Sequence, residues 1–246
     1  MAVESINEAK VGDYILFGKY EQDNNYRNGR EDLEWLVLAK EDNKILVISK
    51  YGLEFKRFHD ITSREMRKIP GGITWEKCSL RKFLNEEFIN NAFSTAEQNQ
   101  IISTTVTADV NDRGLSPGND TTDKIFLLSV NEANKYFSDD SARRCKCTTY
   151  CYAQNIYREV QEEDCDECDD DIYEACCAGK INGCDRADEA GGWGWWLRTR
   201  GDFLHLTAYV VSNGAVSSYG HDTDYYGVVR PAMWISLEPL YDVRKY

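Results

Sequence analysis

The 246-residue chain contains no apolar run approaching the roughly 20 residues that a membrane-spanning helix needs. It has only three histidines, His59, His205 and His221. A Ser/His/Asp site would need His205 or His221 as its base, and no G-x-S-x-G elbow accompanies either. No Walker loop and no G-x-G-x-x-G occurs; Gly191-Gly192-x-Gly194 runs into Trp195-Trp196-Leu197 rather than into a helix start. Positive charge is scarce as well, with 29 Lys and Arg against 42 Asp and Glu, a net charge of -13. Nucleic-acid binding draws most of its affinity from a basic face, so no nucleic acid is expected as a partner. The opening stretch MAVESINEAKVGDY has no basic n-region and no apolar h-region, so no signal peptide is expected. Cytoplasmic, virion-associated and processed-then-exported locations all stay open. These absences point to a protein that is not an enzyme, with no catalytic residue and no cofactor for its function.

What is present has the apolar and charged fractions of a globular protein, 42% and 29%. One α+β domain over residues 1–246 is expected, with short antiparallel sheets and two or more helices. Val11 to Tyr20 reads as a strand closed by Gly18. Leu33 to Leu38 and Ile45 to Ser49 read as a hairpin about Glu41-Asp42-Asn43, after a loop from Glu21 to Asp32. Leu80, Phe83, Leu84 and Phe88 fall at helical spacing, with Thr74 or Ser79 as the cap. Ser94 with Glu97 and Ser129 with Glu132 match the capping-box pattern and open two further helices. Thr104 to Val110 is β-prone, Asp112 to Asp123 is a loop, and Lys124 to Val130 reads as a buried strand.

Cysteine is unevenly spread. Cys78 stands alone, and the other eight lie between Cys145 and Cys184. Cys145 and Cys147 form C-x-C with Cys151 four residues on. Cys165 and Cys168 form C-x-x-C, Cys176 and Cys177 are adjacent, and Cys184 follows. The pattern fits a structural metal such as zinc, a set of disulfides, or unpaired thiols. Most of these cysteines lie in an acidic run, residues 159–188, with almost no large apolar side chains. Such a run cannot build its own core and reads as an insertion.

The C-terminal end has a different character. GGWGWWLRTRG and GVVRPAMWISL are two Trp-bearing brackets, and Trp193, Trp195, Trp196, Trp234, Arg198 and Arg230 are expected to form a fixed frame. The arginines, Arg200 included, flank the segment between; Arg198 and Arg230 should pair with carboxylates or backbone carbonyls. Between the brackets lie two loops with the vocabulary of a binding surface. One carries Asp202, Phe203, Leu204 and His205. The other carries Ser217, Ser218, Tyr219, His221, Asp222, Thr223, Asp224, Tyr225 and Tyr226. Tyr supplies rigid contact area, while Ser, Gly and Asp supply adaptable hydrogen bonds. A pair of ordinary hairpins with polar turns has a similar composition.

Eight blocks in order resemble a family of bacterial and phage-associated domains labelled DUF6273. They are VGDYILFGKYEQD, LEWLVL, TWEKCSLRKFLNEEF, AFSTAEQ, DKIFLLSVNEANKYF, SARRC, GWWLRTRG and GVVRPAMWISL. The resemblance implies a C-type-lectin-like fold related to formylglycine-generating enzymes. It also implies a role as the variable protein of a diversity-generating retroelement, whose residues 197–232 display a ligand-binding face to a protein or cell-surface ligand. In such systems adenine-directed mutagenesis of AAC codons can never yield Lys, Glu, Gln, Trp or Met. None of the five occurs from Leu197 to Ala232. Thr199 and Arg200 stand where the family bracket usually has Ser and Pro. The chain has no Cys after Cys184, so the paired catalytic cysteines of formylglycine-generating enzymes have no counterpart there. An oxidase relative, or a structural or assembly domain without diversification, is the alternative reading.

Overall fold

The computed structural model describes residues 6–66, 68–159 and 193–238. Its strands are β1 (Tyr14–Tyr20), β2 (Glu31–Glu41), β3 (Lys44–Ser49), β4 (Glu54–Arg57), β5 (Thr104–Val106), β6 (Thr121–Asp123), β7 (Trp195–Arg200), β8 (Leu206–Val210), β9 (Val216–Asp222), β10 (Tyr226–Val229) and β11 (Ala232–Ser236). Its helices are α1 (Ser63–Met66), α2 (Ser79–Phe83), α3 (Ile89–Ala92), α4 (Thr95–Gln100), α5 (Val130–Tyr136), α6 (Asp140–Arg143) and α7 (Thr149–Glu159). The class is α+β.

A four-stranded antiparallel sheet runs in the order β1-β2-β3-β11. Leu33, Trp35 and Val37 alternate inward along β2, as the period of a strand requires. The closing strand β11 returns to the N-terminal hairpin, with Ala232 opposite Ile48 and Ser236 opposite Lys44. Gly18 does not end β1. It sits in a bulge at φ 76°, where a Cβ would lie 2.5 Å from the Phe93 ring. Its amide donates to Glu97 Oε1 at 3.1 Å. The glutamate that closes the α4 capping box therefore also holds the bulge.

A five-stranded sheet runs β4-β10-β7-β8-β9, with β10 parallel to β7 and the other pairs antiparallel. Strand β7 is buried at every position. Both of its faces are covered, so it reads as a continuous core strand rather than an alternating one. β9 is an edge strand, and α5 packs against it. A two-stranded ribbon, β5 with β6, completes the strands.

Two further local readings need correction. Lys124 to Val130 is buried but forms no strand. The Asn85 side chain replaces a neighbouring strand, accepting from the amides of Lys124 and Ile125 at 3.0 and 3.1 Å and donating to Ile125 O at 2.8 Å. Phe126 exchanges one pair of hydrogen bonds with Ala232. The cap of α2 is neither Thr74 nor Ser79. Cys78 takes that place, its Sγ accepting from the Arg81 amide at 3.3 Å. Burial pushes the Cys78 thiol up to about 12, so this cysteine serves structure rather than chemistry. The second capping box, Ser129 with Glu132, forms as the spacing predicts. Beyond Glu159 the acidic insertion, with Cys165, Cys168, Cys176, Cys177 and Cys184, lies outside the described residues.

Candidate ligand-binding face

The frame is built from β7 outward. Trp195 donates from its indole to Arg143 O at 3.1 Å, and Trp196 to Lys56 O at 2.9 Å. Trp193 is buried against Tyr152, ring centroids 5.7 Å apart, and its amide donates to Cys145 O. Trp234 is half-buried in β11 beneath the Lys44 ammonium. Arg198 is buried and donates through both terminal nitrogens to Glu132, and from Nη1 to Leu127 O at 2.9 Å. Arg230 donates to Ser49 O at 2.8 Å and lies over the Trp195 and Phe137 rings. Both arginines thus pair with a carboxylate or with carbonyls.

Arg200 and Thr199, the two departures from the family bracket, are buried anchors. Thr199 Oγ1 accepts from the Val130 amide at 2.9 Å. Arg200 donates to Ser116 O at 2.7 Å and to Gly71 O, tying two distant loops to the end of β7. Burial lowers its pKa. The next residues are held from the 111–116 loop: Asn111 Nδ2 donates to Gly201 O at 2.6 Å, and Arg113 pairs with Asp202 at 2.9 Å. Nothing in the spacing of Asn111, Arg113 or Ser116 signals this support, because the partners are far apart in sequence.

Above the frame the side chains turn outward. Nine large apolar side chains are exposed among the described residues. Four of them, Phe203, Leu204, Tyr219 and Tyr225, belong to the two stretches chosen from the sequence. Phe203 meets Tyr219 edge-on at 5.9 Å and stacks on His205 at 6.0 Å. His205 Nε2 lies 3.7 Å from Asp222 Oδ1. His221 meets Tyr225 at 4.7 Å. The β7–β8 connection and the edge strand β9 therefore bring Phe203, His205, Tyr219 and Asp222 together, and His221 with Tyr225 forms a second pair at the β9–β10 turn.

The grouping differs from the sequence reading in three places. Ser217 to Asp222 is not a loop. It is strand β9, with Ser217 opposite Tyr209 and Ser218 beside it half-buried. Thr223 is fully buried; its amide and hydroxyl both donate to His205 O, at 3.0 and 3.1 Å, so it locks the turn instead of meeting a ligand. Tyr226 gives one face to Phe55, stacked at 5.9 Å, under the Arg57 guanidinium. Asp224 is half-buried in the turn before it.

Burial lowers the pKa of both His221 and His59. His59 is a fold residue: its Nδ1 accepts from the Ser79 amide at 3.1 Å. Because the folded values lie below the ordinary 6.5, the unfolded chain binds more protons in the window just under 6.5. The stability these histidines contribute is present above that pH and is lost as pH falls through the window. Thermal melts from about pH 7.5 to about 5.5 should show Tm falling. The double variant His59→Asn with His221→Asn should have a shallower slope, and an equal slope would refute the assignment.

Of the proposed thiol ligands, Cys147 and Cys151 come together, Sγ to Sγ 3.5 Å. Cys145 is buried and directs its thiol to the carbonyls of Lys146 and Lys50. Three sulfurs do not converge: among the described residues the group of three ligand-type side chains within 4.8 Å is Glu21, Asp23 and Glu31. Those carboxylates accept backbone amides of their own loop, Asn25 to Glu21 and Asp23, and Gln22 to Glu31. Among the described residues no helix is long and apolar enough to cross a membrane.

A family model described as a domain of unknown function (DUF6273) matches residues 42–237. No curated protein and no solved structure matches the chain.

Proposed function

The chain belongs to the DUF6273 family, and on that premise we propose that it is a non-enzymatic ligand-binding protein. In this reading it is the variable protein of a diversity-generating retroelement, on a C-type-lectin-like scaffold. The carrying observation is the exposure of Phe203, Leu204, Tyr219 and Tyr225, with Phe203 and Tyr219 in edge-on contact, in a segment whose first strand, β7, is buried at every position. Exposed aromatics grouped this way mark interaction surfaces, and Tyr offers large contact area at little entropic cost. The return of β11 to the N-terminal hairpin supports the fold assignment, since it pins the C-terminal end of the displayed segment to the four-stranded sheet while β7 holds its start in the other. The absence of Lys, Glu, Gln, Trp and Met from Leu197 to Ala232 supports diversification. The partner is a protein or cell-surface ligand. The DNA next to the coding sequence tests the reading: it should hold a reverse transcriptase gene and a near-copy of the segment encoding Leu197 to Ala232. A locus with neither sinks the retroelement assignment and leaves a fixed binding or assembly domain.

A further inference from the structure

We propose that Cys147 and Cys151 are two ligands of a thiophilic divalent cation of the zinc class. The site is separate from the C-terminal face and does not rest on the function proposed for it. The two sulfurs lie 3.5 Å apart. A tetrahedral ion with metal–sulfur bonds of about 2.3 Å holds its sulfurs about 3.8 Å from one another. A disulfide needs about 2.05 Å. Without an ion the Cys151 thiol donates a hydrogen bond to the Cys147 sulfur, and this separation is within a few tenths of an ångström of the first geometry and about 1.5 Å from the second.

The backbone fixes this spacing. Thr148 caps α7, its hydroxyl accepting from the Cys151 amide at 3.1 Å, so Cys147 lies just before the helix and Cys151 in its first turn. Cys147 is held in turn by Gly52, through Gly52 N to Lys146 O at 2.9 Å and Thr148 N to Gly52 O at 3.0 Å. A Cβ on Gly52 would lie 3.4 Å from the Cys147 sulfur and would collide with Val228. Both sulfurs sit at the start of an eleven-residue helix, where burial raises the pKa of the Cys147 thiol, so that thiol keeps its proton until an ion binds. Cys151 is buried and Cys147 half-buried, which leaves a way in from one side.

The chemistry balances. Two thiols give up two protons to solvent, two metal–sulfur bonds form, and no electron moves. Two thiolates and a divalent cation sum to zero charge, which suits a site this buried better than a lone anion would. The remaining positions on the ion are open to water or other donors. The ion would tie the first turn of α7 to Cys147, whose neighbours Lys146 and Thr148 are hydrogen-bonded to Gly52.

The full chain, purified under reductant without oxygen, provides the test. Zinc and then cobalt are titrated into the wild type, into Cys147→Ser with Cys151→Ser, and into the controls Cys145→Ser and Cys78→Ser. The wild type and Cys145→Ser should bind with proton release and, for cobalt, with a thiolate charge-transfer band. The double variant should lose at least tenfold in affinity or one equivalent of bound ion. Unchanged affinity and stoichiometry in the double variant overturn the proposal. Should the double variant fail to fold, wild-type protein alone decides it. With zinc bound, alkylation read by peptide mass spectrometry should slow at Cys147 and Cys151 relative to the chelated protein, and not at Cys78 or Cys145. No difference, or a Cys147–Cys151 disulfide in place of free thiols, overturns it as well.

Discussion

Replacing Phe203, Tyr219 and Tyr225 together with serine should abolish ligand binding and leave folding nearly intact. All three rings are about half or more exposed, at 51%, 57% and 49%, so little apolar area is lost from the core. Surface changes of this kind usually cost within about 0.5 kcal/mol each, which predicts a Tm drop of at most a few degrees. The loss in binding should be far larger. A buried aromatic anchor contributes about 2 kcal/mol or more to a complex, so losing three should weaken binding by more than about a thousandfold. The measurement pairs a thermal melt with binding of labelled protein to whichever cells or purified partner the wild type labels. Substitution of Thr223 should behave the opposite way, because both its donors hold the His205 carbonyl inside the turn. A variant of the three rings that unfolds would place them in the core and remove the face.

Arg198→Met should be the most damaging single change in the frame. Its guanidinium is buried, with both terminal nitrogens on Glu132 and further bonds to Leu127 O and Thr107 O. Glu132 also closes the capping box of α5 by accepting from the Ser129 amide at 3.0 Å. Removing the arginine strands that carboxylate and leaves the Leu127 carbonyl short of a donor. Breaking a buried pair from one side costs about 3–5 kcal/mol, a large part of the 5–15 kcal/mol that stabilises a typical domain. Arg198→Lys should recover only part of this, since one ammonium cannot reproduce the two-pronged contact. Urea unfolding gives the number; a loss under about 1 kcal/mol would mean the pair is solvated and the frame is held elsewhere.

Legibility in the sequence followed the range of the interaction. Both capping boxes were readable, because Ser94 and Glu97, or Ser129 and Glu132, satisfy each other within one turn. So were the β2–β3 hairpin and the buried tryptophans. Contacts that span the chain were not. Lys124 to Val130 has a strand's composition, yet its hydrogen bonds go to Asn85, Ala232 and Arg198, none of which can be paired with it by spacing. Cys78 does not stand out as a cap in the sequence, because sulfur is a weak acceptor and Ser79 stands beside it. For the proposed face, composition marks a segment but not its geometry. Polar residues in an edge strand and in a turn look alike, so β9 read as loop and buried Thr223 read as contact. The anchors Asn111 and Arg113 hold the Asp202 turn from outside the segment altogether, and Arg200 reaches out of it to the Ser116 and Gly71 carbonyls.

If residues 197–232 form a diversified face on a fixed frame, variation between copies of the gene should be confined to that face. Deep sequencing of that coding segment across many independent isolates carrying the gene tests it most directly. Substitutions should concentrate at the positions that are adenines in the near-copy template, within codons for exposed residues such as Phe203, Tyr219 and Tyr225. The codons for Trp193, Trp195, Trp196 and Trp234 should stay constant. Substitutions spread evenly over the gene and over all four bases would contradict it.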